Sequence, residues 1–130
     1  MFSVVFIVRN EERSLPIAIQ SLGIVPEVVV CDTGSVDGTV REARALGATV
    51  CEYEWRDDFS AARAFAASQA RFDWIVRFDA DERLDVIGPS GDPTWLSKAS
   101  PETQVVVARW VDISGCVGGS GCFCFFNLQF

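Results

Sequence analysis

The chain has 130 residues, enough for one domain with a buried core, and its 49% hydrophobic content is ordinary for a globular fold. Its net charge is −7, with a single lysine, Lys98, and scattered arginines, so it has no basic face for nucleic acid. It contains no histidine, which excludes Ser-His-Asp and Cys-His catalysis and His-ligated zinc, and leaves Asp or Glu as the general base.

The N-terminus opens with Val4-Val5-Phe6-Ile7-Val8, a continuous apolar, β-branched run. Such a run suits a strand covered on both faces of a parallel sheet. The segment lacks a basic n-region and a small-residue cleavage site, so no signal peptide is expected. Asn10-Glu11-Glu12-Arg13 breaks the run. A helix is predicted from about Ser14, with Pro16 in its first turn, where a missing N–H costs least. Leu15, Ala18, Ile19 and Leu22 form its buried stripe.

Val28-Val29-Val30-Cys31 reads as the second strand, ending at Asp32. The turn Thr33-Gly34-Ser35-Val36-Asp37-Gly38 leads into a second helix ending near Leu46. Ser35 or Asp37 caps its start, and Gly47 supplies its left-handed end. Ala48 to Trp55 is predicted as a third strand, and Arg56-Asp57-Asp58 as a loop. Phe59 to Arg71 is predicted as an alanine-rich helix with Ala62, Phe65, Ala66 and Gln69 on one face. Trp74-Ile75-Val76-Arg77-Phe78 reads as a fourth strand, running into Asp79-Ala80-Asp81-Glu82.

The order β-α-β-α-β-α-β with short connections implies an α/β fold with an open, mostly parallel sheet and right-handed crossovers. Beyond Glu82 the pattern weakens. Thr103 to Val111 resembles a further strand, and Ser114 to Phe130 is rich in Gly, Cys and Phe without a period. The expected organisation is one α/β domain over residues 1–113 and an atypical tail over 114–130. Cys31 and Cys51 fall in predicted strands and read as reduced core thiols of a cytoplasmic protein. Gly121-Cys122-Phe123-Cys124 lacks the Cys-x-x-Cys spacing of a zinc site. No run approaches the ~18 apolar residues of a membrane span.

In open α/β sheets, ligands bind outside the carboxyl ends of the strands. The predicted strand ends there are Arg9-Asn10-Glu11, Asp32-Thr33-Gly34 and Asp79-Ala80-Asp81. Each alone has a bland reading, because strands end in polar turn formers. Together they make a polar rim, and Gly34 and Gly38 allow close backbone approach. Two carboxylates two residues apart at a strand end suit a hard cation that completes its shell with water and substrate phosphate oxygens.

Val8-Arg9-Asn10-Glu11-Glu12, Cys31 to Thr39, and Asp79-Ala80-Asp81-Glu82 together resemble the nucleotide-binding half of the family 2 glycosyltransferases, which have the GT-A fold. Glu54-Trp55, Asp57 to Arg63 and Phe72-Asp73-Trp74-Ile75 resemble the same family, especially its tetratricopeptide-linked, SunS-like branch. The resemblance covers about residues 3–84. It implies a metal-dependent, inverting transfer of sugar from a nucleoside-diphosphate sugar, of UDP type, to an acceptor hydroxyl. The implied donor-binding residues are Val8, Asn10, Glu11, Asp32, Gly34, Arg63, Asp79 and Ala80. Asp32 would hydrogen-bond the base or ribose. Asp79 would approach the ribose or the metal, and Asp81 would ligate Mn²⁺ or Mg²⁺. Arg63 would face the diphosphate or the sugar, and is otherwise a solvated helix arginine. Ala64 stands where the branch often has Asn.

The family's base lies well after the Asp-x-Asp motif, and only 48 residues follow Glu82. Asp112, with Glu102, is the late carboxylate available, and neither sits in a family motif. The apolar tail is consistent with truncation, with a reading-frame change near Ser114, or with a protein partner that covers it. The alternatives to an enzyme are a non-catalytic nucleotide-diphosphate-binding module, an inactive fragment, or another acidic-rim α/β domain such as a phosphoacceptor receiver. A receiver needs a lysine at a late strand end, and Lys98 lies in a loop-like stretch. A nucleotidyltransferase would carry a glycine-rich basic loop after strand one, which Asn10-Glu11-Glu12 is not.

Overall fold

A computed structural model of the protein describes residues 1–82, 105–109 and 122–127. Its elements are β1 (Phe2–Val8), α1 (Ser14–Ser21), β2 (Glu27–Asp32), α2 (Thr39–Ala45), β3 (Thr49–Glu52), α3 (Phe59–Ser68), β4 (Trp74–Phe78), β5 (Val105–Arg109) and β6 (Cys122–Asn127). The sheet order is β3-β2-β1-β4-β6-β5. β1 pairs in parallel with β2 on one edge and β4 on the other, and β2 pairs in parallel with β3. The expected open, mostly parallel α/β sheet is therefore present.

The apolar runs divide their side chains between two cores, because successive residues of a strand point to opposite faces. Val4, Phe6, Val8, Val30, Val76 and Phe78 pack with α1 and Ala43 of α2 on one face. Val5, Val29, Cys31 and Ile75 pack with Ala66 of α3 on the other. The predicted α1 stripe of Leu15, Ala18, Ile19 and Leu22 is buried throughout.

Two elements are shorter than predicted. β3 ends at Glu52, although the Tyr53 N–H still donates to the Asp32 carbonyl at 2.8 Å. α3 ends at Ser68, because the Arg71 N–H donates to Glu27 Oε2 at 2.8 Å and leaves the helical path. Ala62 and Ala66 are buried on the α3 face, whereas Gln69 is exposed. β6 lies within the stretch that shows no period in the sequence. It pairs antiparallel with β4 and β5, so this stretch contributes a strand to the same sheet. Among the described residues, no helix is long and apolar enough to cross a membrane.

Opposite the rim expected to bind ligand, a buried carboxylate fastens the amino ends of the strands. Glu27 accepts the Ser3 hydroxyl at 2.5 Å, the Arg71 N–H at 2.8 Å and the Arg71 Nε–H at 2.9 Å. This joins β1, β2 and the segment entering β4. Burial alone would raise the Glu27 pKa. The Ser3 hydroxyl and the Arg71 backbone N–H, side-chain N–H and charge outweigh it, and hold the group below the ordinary 4.5. A depressed carboxylate pKa stabilises the fold above the unfolded value, and that contribution is lost as pH falls through the folded value. Glu27→Ala is expected to cost about 1.5–3 kcal/mol, the range for hydrogen bonds to a charged group. Urea denaturation from pH 7 downward checks this: wild type should lose stability below about pH 4.5 more steeply than the variant.

Candidate functional site

In this strand order the chain reverses direction at β1. β2 and β3 extend the sheet to one side, and β4 lies on the other. Ligands of open α/β sheets bind in the crevice outside the carboxyl ends at such a reversal. The segments that flank it here are Arg9–Glu11 after β1 and Asp79–Glu82 after β4. Asp32 stands level with Val8 in the β1–β2 register.

Asp32 is 5% exposed. Its Oδ2 accepts the N–H groups of Gly34 at 3.1 Å and Ser35 at 3.0 Å, a local turn typical of Asp. Its Oδ1 is buried with no hydrogen-bond partner, alone in this among side-chain atoms of the described residues. A buried acceptor without a donor costs about 1–3 kcal/mol, and a water or a ligand group can relieve that cost. Gly34 sits beside it at φ 106°, with open space where a Cβ would stand.

The loops after β1 and β2 are latched together. The Asn10 N–H donates to Ser35 Oγ at 2.9 Å, and Asn10 Oδ1 accepts the Val36 N–H at 2.9 Å. The Glu11 N–H donates to Thr39 Oγ1 at 2.7 Å, and that hydroxyl donates to Asp37 Oδ1 at 2.5 Å. The Asp37 carboxylate also accepts the Thr39 N–H at 3.0 Å and the Glu12 N–H at 3.2 Å. Glu12 Oε2 in turn accepts the Gly38 N–H at 2.8 Å. A Cβ at Gly38 would stand 2.6 Å from the Arg41 guanidinium and 2.9 Å from that oxygen, both at the ends of side chains that can shift. Asn10 takes a left-handed φ of 57°, a conformation Asn tolerates better than most residues.

The sequence-predicted residues divide by role. Val8 and Ala80 are buried in the core beside α1, and the Val8 carbonyl accepts both the Thr33 N–H and hydroxyl. Asn10 and Glu11 brace the loops, and the Glu11 carboxylate also accepts the Ser14 hydroxyl. Arg63 is exposed on α3, with its guanidinium 5.7 Å from the centroid of the Phe59 ring. Asp79 and Asp81 are exposed beyond β4. Asp112 lies outside the described residues.

Glu82 is a residue the sequence reading did not assign. Its Oε2 accepts the Asp79 N–H at 2.8 Å, while its own N–H donates to the Asp79 carbonyl at 3.0 Å. Burial, followed by the nearby Asp79 and Asp81 charges, raises its pKa against the Asp79 N–H and Arg77. The signal was a Glu three residues after an Asp, the reciprocal spacing of a capping box. The Thr39 hydroxyl bridge was also missed, because it joins segments 28 residues apart.

No three His, Cys, Asp or Glu side chains among the described residues converge on one point. A hard cation that completes its shell with phosphate and water needs fewer protein oxygens than such a cluster supplies.

The family model for glycosyl transferase family 2 matches residues 3–116. The chain belongs to glycosyl transferase family 2. It is 46% identical over 83 residues to a TPR repeat-containing protein of Synechococcus elongatus, covering 63% of this chain and 21% of that one. It is 40% identical over 83 residues to an uncharacterised glycosyltransferase of Rickettsia typhi, covering 63% of this chain and 28% of that one. Among solved structures, it resembles glucosyl-3-phosphoglycerate synthase from Mycobacterium tuberculosis in complex with Mn²⁺, UDP and glucosyl-3-phosphoglycerate. The TM-score is 0.54 at 29% identity, over 62% of this chain and 33% of that one. This family member thus spans a fifth to a third of the length of these relatives, 21% to 33%.

The latch and the turn at Gly34 are both testable. Thr39→Val removes the hydroxyl that receives the Glu11 N–H, and is expected to cost about 1–3 kcal/mol in urea denaturation. Gly34→Ala forces a side chain into a left-handed backbone and should cost about 1 kcal/mol or more, although space is open around it.

Proposed function

We propose that this chain is the donor-binding part of an inverting glycosyltransferase. It takes a nucleoside-diphosphate sugar of UDP type, with Mn²⁺ or Mg²⁺, and presents the sugar to an acceptor hydroxyl. The observation that carries this reading is the buried, unpartnered Oδ1 of Asp32 on the ligand-binding rim. A carboxylate oxygen accepts hydrogen bonds, so it suits a ligand N–H or O–H, as a nucleobase imide or a ribose hydroxyl supplies. The likeness to a synthase solved with UDP and Mn²⁺ supports the same class of donor.

Each residue then has a physical task. Asp32 fixes the nucleoside through its free oxygen. Asn10, Glu11, Asp37 and Thr39 hold the loops rigid, which lowers the ordering cost of binding. Asp79 and Asp81 would hold the divalent ion, with Glu82 closing the turn that presents them. When bound, that ion stabilises the negative charge of the departing diphosphate without proton transfer. Arg63 offers a guanidinium to the diphosphate or the sugar. The general base is proposed from the part of the protein beyond the described rim, with Asp112 as the candidate in this chain.

Thermal denaturation with UDP, GDP and other nucleotides, with and without Mn²⁺, tests the reading. A ligand at 100 times its Kd should stabilise by about 2.7 kcal/mol. Wild type should rise in Tm with UDP and Mn²⁺. Asp81→Ala should lose the metal-dependent part, and Asp32→Asn, which places a donor amide in the pocket, should lose the nucleotide response. No stabilisation by any nucleotide would contradict the proposal. Stabilisation without sugar transfer or donor hydrolysis favours the non-catalytic module.

A further inference from the structure

Cys31 of β2 and Cys51 of β3 are direct partners in the parallel register, and both thiols are free. They leave the sheet on the same face, packed with Val29, Tyr53 and Phe65 against α3. Neighbouring strands lie ~4.8 Å apart. That separation falls inside the ~4.4–6.8 Å between Cα atoms that a disulfide spans. When protonated, the Cys51 thiol donates to the Val30 carbonyl at 3.7 Å. The neighbouring Cys31 thiol favours the Cys51 thiolate and holds the Cys51 pKa below its ordinary value against burial, while Cys51, burial and the Asp32 charge push the Cys31 pKa up.

The two positions differ in access. Cys51 lies half-buried on β3, the end strand of the sheet among the described residues. Cys31 is fully buried behind it. This is the division between an attacking thiol and a resolving thiol. A packed core needs only two small side chains here. It does not need two thiols on one face in direct register.

We propose that Cys31 and Cys51 form a reversible dithiol–disulfide couple, closed by exchange with a low-molecular-weight disulfide such as glutathione disulfide. The Cys51 thiolate attacks one sulfur of glutathione disulfide and breaks its S–S bond. One glutathione leaves and takes up the proton that Cys51 lost. Cys31 then gives up its proton, attacks Cys51 Sγ and expels the second glutathione. Two protein thiols are oxidised, and one glutathione disulfide is reduced to two thiols. The new bond ties β3 to β2 one residue before Asp32.

The test treats the full chain with glutathione disulfide near neutral pH, alkylates the remaining thiols, digests and maps the peptides by mass. A Cys31–Cys51 cross-linked peptide should become the main form, lighter by two hydrogens, and reduced glutathione should reverse it. Cys31→Ser should accumulate the Cys51–glutathione adduct, and Cys51→Ser should leave Cys31 unmodified until the chain is unfolded. A folded wild type that keeps both thiols alkylatable, stops at the Cys51 adduct, or cross-links either residue to Cys116, Cys122 or Cys124 instead would overturn the proposal. The wild-type map decides the outcome even if a serine variant fails to fold.

Discussion

The structure depends on β1 being hydrogen-bonded along both edges in parallel. β1 sits between β2 and β4, and a shift of one residue on either side would exchange its two faces. Val4, Phe6 and Val8 would then point at α3, and Val5 would meet α1. Hydrophobic burial on both faces therefore fixes the register. The register in turn brings Val8 level with Asp32 and sets Asp79 beyond the neighbouring strand. The polar rim follows from apolar packing in the strands behind it.

The two ends of the sheet use carboxylates differently. At the amino end, Glu27 is fully engaged by Ser3 and Arg71, so burial of its charge is compensated. At the carboxyl end, Asp32 is engaged on one oxygen only. The structure tolerates that cost where the loops after β1 and β2 are held by reciprocal hydrogen bonds. A rigid frame around one unsatisfied acceptor is how a binding site is prepared in advance of its ligand.

Much of this was legible in the sequence, for identifiable reasons. The apolar runs Val4–Val8 and Trp74–Phe78 are short and bounded by polar turns, so their strand character and their carboxyl ends could both be read. The α1 stripe has a helical period and is buried as expected. The end of α3 was misjudged, because a long-range bond decides it: the Arg71 N–H goes to Glu27, and that partner is 44 residues away. β6 has no alternating pattern, and its place between β4 and β5 comes from pairing rather than from local preference. At the rim, the places of Asp32, Asp79 and Asp81 at strand ends were legible from the apolar runs before them. The bracing roles of Asn10, Glu11 and Thr39 were not, because contacts between loops leave no spacing in the chain.

The central claim is that one rim of the sheet, at the reversal between β1 and β4, receives a nucleoside diphosphate. Backbone amide NMR of the ¹⁵N-labelled chain, titrated with UDP in the presence of Mg²⁺, tests it most directly. The account predicts saturable shifts at Asn10–Glu11, Gly34–Ser35 and Asp79–Asp81 together, with Ser3, Glu27 and Arg71 at the opposite end unmoved. Shifts gathered around Ser3, Glu27 and Arg71, or none at any UDP concentration, would contradict it.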